Sequence, residues 1–169
     1  MPPRSSRTGL ELAVTQPLLD RLIDNDPKAA FDSPVSRAQS VRLLRAAVRR
    51  DLEWLLNTRR TPDAAPESMK ELSQSLYNYG LPDFSTFSVN SPRDRDRLLL
   101  ELEHSLALFE PRLKDVRVSL VETVEGYSRT LRFQIEGTLD MDPVAERVAF
   151  DTLLQLSSGE YQVRGDGGA

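Results

Sequence analysis

Residues 97–120 read RLLLELEHSLALFEPRLKDVRVSL, and within them the hydrophobic period changes from helical to two. Leu98, Leu99, Leu102, Leu106 and Phe109 share the spacing of one buried helical face. Val116, Val118 and Leu120 then alternate as a strand does. Between them stands Phe109-Glu110-Pro111-Arg112. Proline has no amide proton and disfavours the helical region in the residue before it, so the helix is expected to close at Glu110. An acid and an arginine thus flank a rigid corner, either as a solvated helix end or as a recognition or catalytic pair.

The period of two persists beyond the corner. Leu131, Phe133, Ile135, Gly137 and Leu139 alternate with the polar residues Arg132, Gln134, Glu136 and Thr138, and Val148, Phe150, Thr152, Leu154 and Leu156 alternate with Arg147, Ala149, Asp151, Leu153 and Gln155. Asp140-Met141-Asp142-Pro143 reads as the turn between these two long strands, with a weaker strand at 160–163. Upstream the pattern is helical. Ser36 and Gln39 have the spacing of a capping box, and Val41, Leu44, Val48, Leu52 and Leu55 continue from it, with Ala47 and Trp54 expected to widen the buried stripe. Arg42, Arg45, Arg49, Arg50 and Glu53 fall on the opposite, solvated face, and Arg59-Arg60 lie where cations complement the helix C-terminus. A short helix through Met69, Leu72 and Leu76 is expected to stop before Gly80, and Ser91-Pro92 opens the leucine-rich helix. The expected fold is α+β, with helices packed on one face of a mainly antiparallel C-terminal sheet.

Three segments follow from these patterns. Residues 1–35 form a flexible arm whose first 15 residues have little to bury, and which carries one short amphipathic helix through Leu18, Leu19, Leu22 and Ile23. That turn either docks on its own domain or orders against another protein, since a helix so short is marginal in water alone. Residues 36–164 form the folded domain, and 165–169 a disordered tail.

Composition narrows the function classes. The chain has 169 residues, 39% of them hydrophobic and 28% charged, with a formal net charge of −4. That balance argues against general affinity for nucleic acid or an anionic membrane. With no cysteine and a single histidine, His104, thiolate chemistry and a histidine-based metal cluster within one chain are excluded. No apolar run approaches the roughly 20 residues a span requires, and the N-terminus lacks the apolar core of a secretory signal, so a cytoplasmic protein is expected. The sequence carries no phosphate-binding glycine loop and no nucleophile elbow. No cofactor and no small-molecule ligand are expected.

Taken in order, the run RDLEWLLNTRR at 50–60, the loop YGLPDFS at 79–85 and the triplet Glu110-Pro111-Arg112 resemble the TssE family of type VI secretion baseplates. That family is similar to the lysozyme-like wedge protein of contractile phage tails, and the resemblance spans roughly residues 17–164. It implies a structural, non-enzymatic subunit that joins the baseplate wedge to the contractile sheath and templates sheath assembly by strand-edge pairing. It further implies partners of the TssF, TssG and TssK type and the sheath proteins, in a complex at the inner face of the cytoplasmic membrane. Glu110, Pro111 and Arg112 match the family triplet and become interface candidates. Leu18, Leu19, Leu22 and Ile23 on the arm, and Arg132, Gln134 and Glu136 on the first long strand, are further interface candidates. One charge-assisted hydrogen bond contributes about 1.5–3 kcal/mol net, so an Arg112→Ala chain is expected to fold yet fail to assemble. The lysozyme-like relative also raises an alternative, a muramidase-like hydrolase with Glu110 as acid and Glu53, Asp51 or Asp83 as partner carboxylate. Against it, Arg112 beside Glu110 favours the ionised carboxylate, whereas a general acid needs its pKa raised. The other alternative is a wedge protein of a phage-derived contractile injection particle.

Overall fold

The computed structural model describes residues 13–24, 27–28, 34–63, 65–66, 68–84, 88, 91–121 and 130–165. The chain divides into two compact units, residues 1–47 and 48–169. In the first, Val14 N donates to Ser40 Oγ at 2.9 Å, and Gln16 Nε2 donates to the Ser40 carbonyl at 2.8 Å. The expected disordered stretch 1–15 lies outside the described residues as far as residue 12. Helix α1 runs Leu18–Leu22, with Pro17 at its N-cap rather than inside the first turn. Leu18, Leu19, Leu22 and Ile23 are all exposed.

Helix α2, Arg37–Asn57, begins where Ser36 Oγ accepts from Gln39 N at 3.3 Å, and the boundary between the units falls within it. In the second unit Val48, Leu52 and Leu55 are buried, as the periodicity predicts, and Leu56 is buried beside them. Trp54 departs from the expectation: it is 52% exposed, with the Arg50 guanidinium 4.8 Å from its ring. A cation held over an indole shields one face of the ring, which lets it remain on the surface.

The expected helix through Met69, Leu72 and Leu76 is broken into α3, Lys70–Ser73, and a 3-10 turn, Leu76–Asn78. Serine is the cause: Ser75 is extended and its hydroxyl accepts from Tyr77 N, while Ser73 Oγ donates to the Lys70 carbonyl. The chain then folds back on the end of α2. Leu81 N donates to the Thr58 carbonyl and Arg60 N to the Leu81 carbonyl, each at 2.8 Å. Arg60 does more than face a helix dipole: its Nη2 donates to the buried Ser105 Oγ at 3.0 Å and its Nε to the Gly80 carbonyl at 3.3 Å.

Helix α4, Pro92–Phe109, starts at the Ser91 cap and buries Leu98, Leu102, Ser105 and Leu106. Its sequel is a four-stranded antiparallel meander, β1 (Leu113–Val121), β2 (Thr130–Leu139), β3 (Glu146–Gln155) and β4 (Glu160–Gly165), in that spatial order. The fold class is therefore α+β, with the helices preceding the sheet. The β2–β3 ladder is continuous from Thr130↔Gln155 to Leu139↔Glu146. Leu156 falls outside β3. In β1 the register shifts between Lys114 and Arg117, where Asp115 has a φ of 53°. This bulge explains why Leu113 and Val118 are both buried although an odd interval separates them. Glu103 on α4 fastens the helix to β1 by accepting from Val118 N at 2.8 Å.

The core face of the sheet presents Phe133, Ile135, Val148, Phe150, Leu154, Tyr161 and Val163. Two hydroxyls on that face, Thr152 Oγ1 and Tyr161 Oη, have no hydrogen-bond partner among the described residues. Burial alone raises the Tyr161 pKa well above its ordinary value near 10. The folded state therefore retains a proton that the unfolded chain releases above pH 10, so stability should fall as pH rises past that value. A buried unsatisfied hydroxyl costs about 1–3 kcal/mol, so Tyr161→Phe should leave the fold unchanged or more stable at neutral pH. It should also flatten the alkaline limb of the stability curve, as denaturant titrations between pH 8 and about 11 would show.

Candidate functional site

The corner closes as the sequence dictates. Glu110 is the C-cap of α4, its N–H donating to the Leu106 carbonyl at 2.9 Å. Pro111 sits exposed in the turn, where no backbone donor is needed. Leu113 N returns to the Glu110 carbonyl at 3.1 Å, and Asp140 N donates to the Arg112 carbonyl at 2.8 Å, which stitches the corner to the far end of β2.

What the sequence does not show is where the side chains go. Glu110 is buried, only 3% exposed, although it lies beside a turn. Its carboxylate is gripped by the Arg112 fork: Nε donates to Oε1 at 2.5 Å and Nη2 donates to Oε2. The same Nη2 donates to Asp51 Oδ2 on α2 at 2.7 Å. Asp51 in turn accepts at Oδ1 from Arg50 Nε and Nη2, at 2.9 and 2.8 Å. Arg50 lies over Trp54. A continuous chain of charge-assisted contacts therefore runs from the buried Glu110 to an exposed indole, joining the end of α4, the turn before β1 and α2.

The electrostatics agree with the geometry. Burial disfavours the Arg112 charge, but the hydrogen bonds to Glu110 and Asp51 more than offset it, and its pKa is raised. Tyr79 packs edge-on against Phe109, ring centroids 5.2 Å apart, and burial, Asp51 and Glu110 together push its phenol pKa up. A guanidinium fork can satisfy two carboxylates at once in fixed directions, which an ammonium cannot reproduce.

Of the residues singled out by sequence, the structure brings Glu110, Arg112 and Asp51 together and leaves Asp83 and Glu53 out of their hydrogen bonding. In that arrangement both Glu110 oxygens and Asp51 Oδ2 are held by one arginine. A glycosidase needs its two carboxyl groups across an open cleft, with room for sugar or water between them. Arg132 and Glu136 are exposed and Gln134 half-buried on the β2 face opposite Phe133 and Ile135, remote in sequence from the corner. Arg50 and Trp54 are the members that residue-type reasoning did not assemble, while Asp51 was one of three candidate partner carboxylates with nothing to select it. The one available signal was the Arg50-Asp51 pair on a helix that also carries Trp54 one turn later.

No group of metal-ligating side chains capable of holding an ion occurs among the described residues, and no helix among them is long and apolar enough to cross a membrane. No curated protein matches the chain. The family described as baseplate wedge protein gp25 matches residues 42–144, a stretch that contains α2 from Arg42 onward, the return loop at Gly80, α4, the whole corner, β1 and β2. That match covers more than half of the chain, and the chain belongs to the gp25 family of baseplate wedge proteins, structural components of phage-like contractile injection machines.

Proposed function

We propose that this chain is the wedge subunit of a type VI secretion baseplate, joining the wedge to the contractile sheath and templating the sheath by strand-edge pairing. The observation that carries the reading is the family match over 42–144, with the RDLEWLLNTR helix and the Glu110-Pro111-Arg112 corner meeting in one network inside it. The partners are baseplate subunits of the TssF, TssG and TssK type and the sheath proteins. The assembly forms in the cytoplasm, at the inner face of the membrane. Residues 36–164 are the working domain, residues 1–35 an arm that engages a neighbour, and 165–169 a tail.

The corner serves this role in two ways. Arg112 and Glu110 set the angle between α4 and the sheet, and the exposed Pro111 presents that angle to an adjoining subunit. Leu18, Leu19, Leu22 and Ile23 give the arm an apolar face without cover from its own unit. Such a face suits a helix-in-groove contact. Arg132, Gln134 and Glu136 offer a polar sheet face for side-chain contacts with a neighbour, since β2 is already paired with β1 and β3 on both edges.

Affinity capture of the tagged chain from its native cytoplasm, with the captured proteins identified by mass spectrometry, tests the reading. Recovery of baseplate and sheath proteins is expected, reduced when Leu18 and Leu22 are both changed to Ser. Capture of tail proteins from a phage-derived particle would replace the secretion system with that alternative. Capture of neither would sink the assembly role.

A further inference from the structure

Strand β4 is the last of the meander, and its outer edge is occupied by side chains. Within the β3–β4 ladder Gln155, Leu153 and Asp151 lie opposite Glu160, Gln162 and Arg164. The backbone groups of Tyr161 and Val163 turn away from β3. Tyr161 N donates to Asn57 Oδ1 at 2.9 Å, and Asn57 Nδ2 donates to the Tyr161 carbonyl at 2.9 Å. Arg49 Nη1 donates to the Val163 carbonyl at 3.4 Å. The Asn57 carboxamide thus supplies the acceptor and donor that a neighbouring strand residue would supply. A further bond from Nδ2 to the Glu53 carbonyl, at 2.9 Å, holds it in that orientation. An open strand edge is a template for another chain, and covering it is how folded proteins prevent such pairing.

The edge beneath the cap is self-complementary. Let β4 pair antiparallel with β4 of a second copy, Tyr161 opposite Val163 of that copy. The outward N–H and C=O groups then meet in pairs, and Glu160 of each copy stands opposite Arg164 of the other. Glu160 and Arg164 are both exposed, so these cross-strand ion pairs form on the solvent face while Tyr161 and Val163 stay on the core face. Opposite charges facing each other across strands favour that register over its neighbours.

We propose that β4 is a pairing edge for a second copy of this chain, held closed by Asn57 acting as a surrogate strand residue. The claim stands apart from the baseplate reading, since it concerns the isolated chain alone. Sedimentation velocity over a wide concentration series tests it, with circular dichroism confirming the fold. Wild type is expected to stay monomeric. Asn57→Ala is expected to dimerise with an affinity about tenfold or more above wild type, a gain of about 1.4 kcal/mol or more. Adding Arg164→Glu to that variant places like charges opposite each other and should return it to monomer. Exchanging both charges, Glu160→Arg with Arg164→Glu, should restore the dimer. Should Asn57→Ala not fold, Asn57→Asp keeps the acceptor for Tyr161 N, loses the donor and sets a carboxylate against the Tyr161 and Glu53 carbonyls. It should then show weaker dimerisation with the same response to Arg164→Glu. A folded Asn57 variant that remains monomeric, an association indifferent to Arg164→Glu, or a wild type already dimeric through β4 would each overturn the proposal.

Discussion

Arg112→Ala should lose about 3–5 kcal/mol of folding stability, because it strands the buried Glu110 carboxylate without a counter-charge. That loss exceeds the 1.5–3 kcal/mol of a single charge-assisted bond expected from the sequence, since the dominant cost is the unpaired ion rather than the missing contact. In a chain of this size the thermal midpoint should drop by roughly 10 °C or more. Arg112→Lys should recover only part of it, because one ammonium cannot reach Glu110 in two directions and Asp51 as well. Asp51→Asn should be far milder, as its side chain is 24% exposed and Arg112 keeps Glu110.

The decisive variant removes both members of the buried pair, Glu110→Leu with Arg112→Met. Replacing a buried ion pair by apolar residues of similar volume is often neutral, so most of the stability should return in chemical denaturation. Assembly should not return if the corner is an interface. A double variant that is stable and still captures its baseplate partners would confine Glu110 and Arg112 to an internal structural role. This comparison separates folding from assembly, which Arg112→Ala alone does not.

Gly80→Ala should be at least as damaging, in the range of about 3–5 kcal/mol. Gly80 has a φ of +103°, a conformation essentially reserved for glycine, and an added Cβ would sit 2.3 Å from the Thr58 carbonyl oxygen. The obstacle is backbone, and that carbonyl accepts the hydrogen bond from Leu81 N that returns the loop to α2. Relief therefore means giving up the Arg59–Leu81 bridge and the Arg60 contacts to Gly80 and Ser105. Urea unfolding should show a lower midpoint. Hydrogen exchange should show lost protection at Leu81 and Arg60 first. A variant with wild-type stability and exchange would mean that the loop can be rebuilt without its bridge.

These two positions show how unevenly the sequence discloses the molecule. The helices α2 and α4 and the long strands were legible because each is a repeated signal: many residues vote on one period, and a serine or proline marks the start. The corner at Glu110-Pro111 was legible for a stereochemical reason confined to two neighbouring residues. The bulge at Asp115 was not, since nothing local distinguishes it from a continuing strand until β2 sets the register. The break between α3 and the 3-10 turn escaped for a related reason. The apolar spacing of Met69, Leu72 and Leu76 is helical, but serine hydroxyls compete for the same backbone groups. Trp54 was misplaced because hydrophobicity ranks it as core, while an arginine one turn away gives it a surface partner.

The sequence by itself determined the α+β order of elements, the helix-to-strand corner, the absence of thiol chemistry and the motif order that matches the family. Each of these depends on residues close together along the chain or on composition. The tertiary structure alone decided that Glu110 is buried, that Asp51 meets Arg112 from 61 residues away, and that Asn57 caps β4 from 104 residues away. Those contacts depend on how α2 lies against α4 and the sheet. Local periodicity specifies which face of a helix is buried, but not which polar side chain at its edge meets which partner.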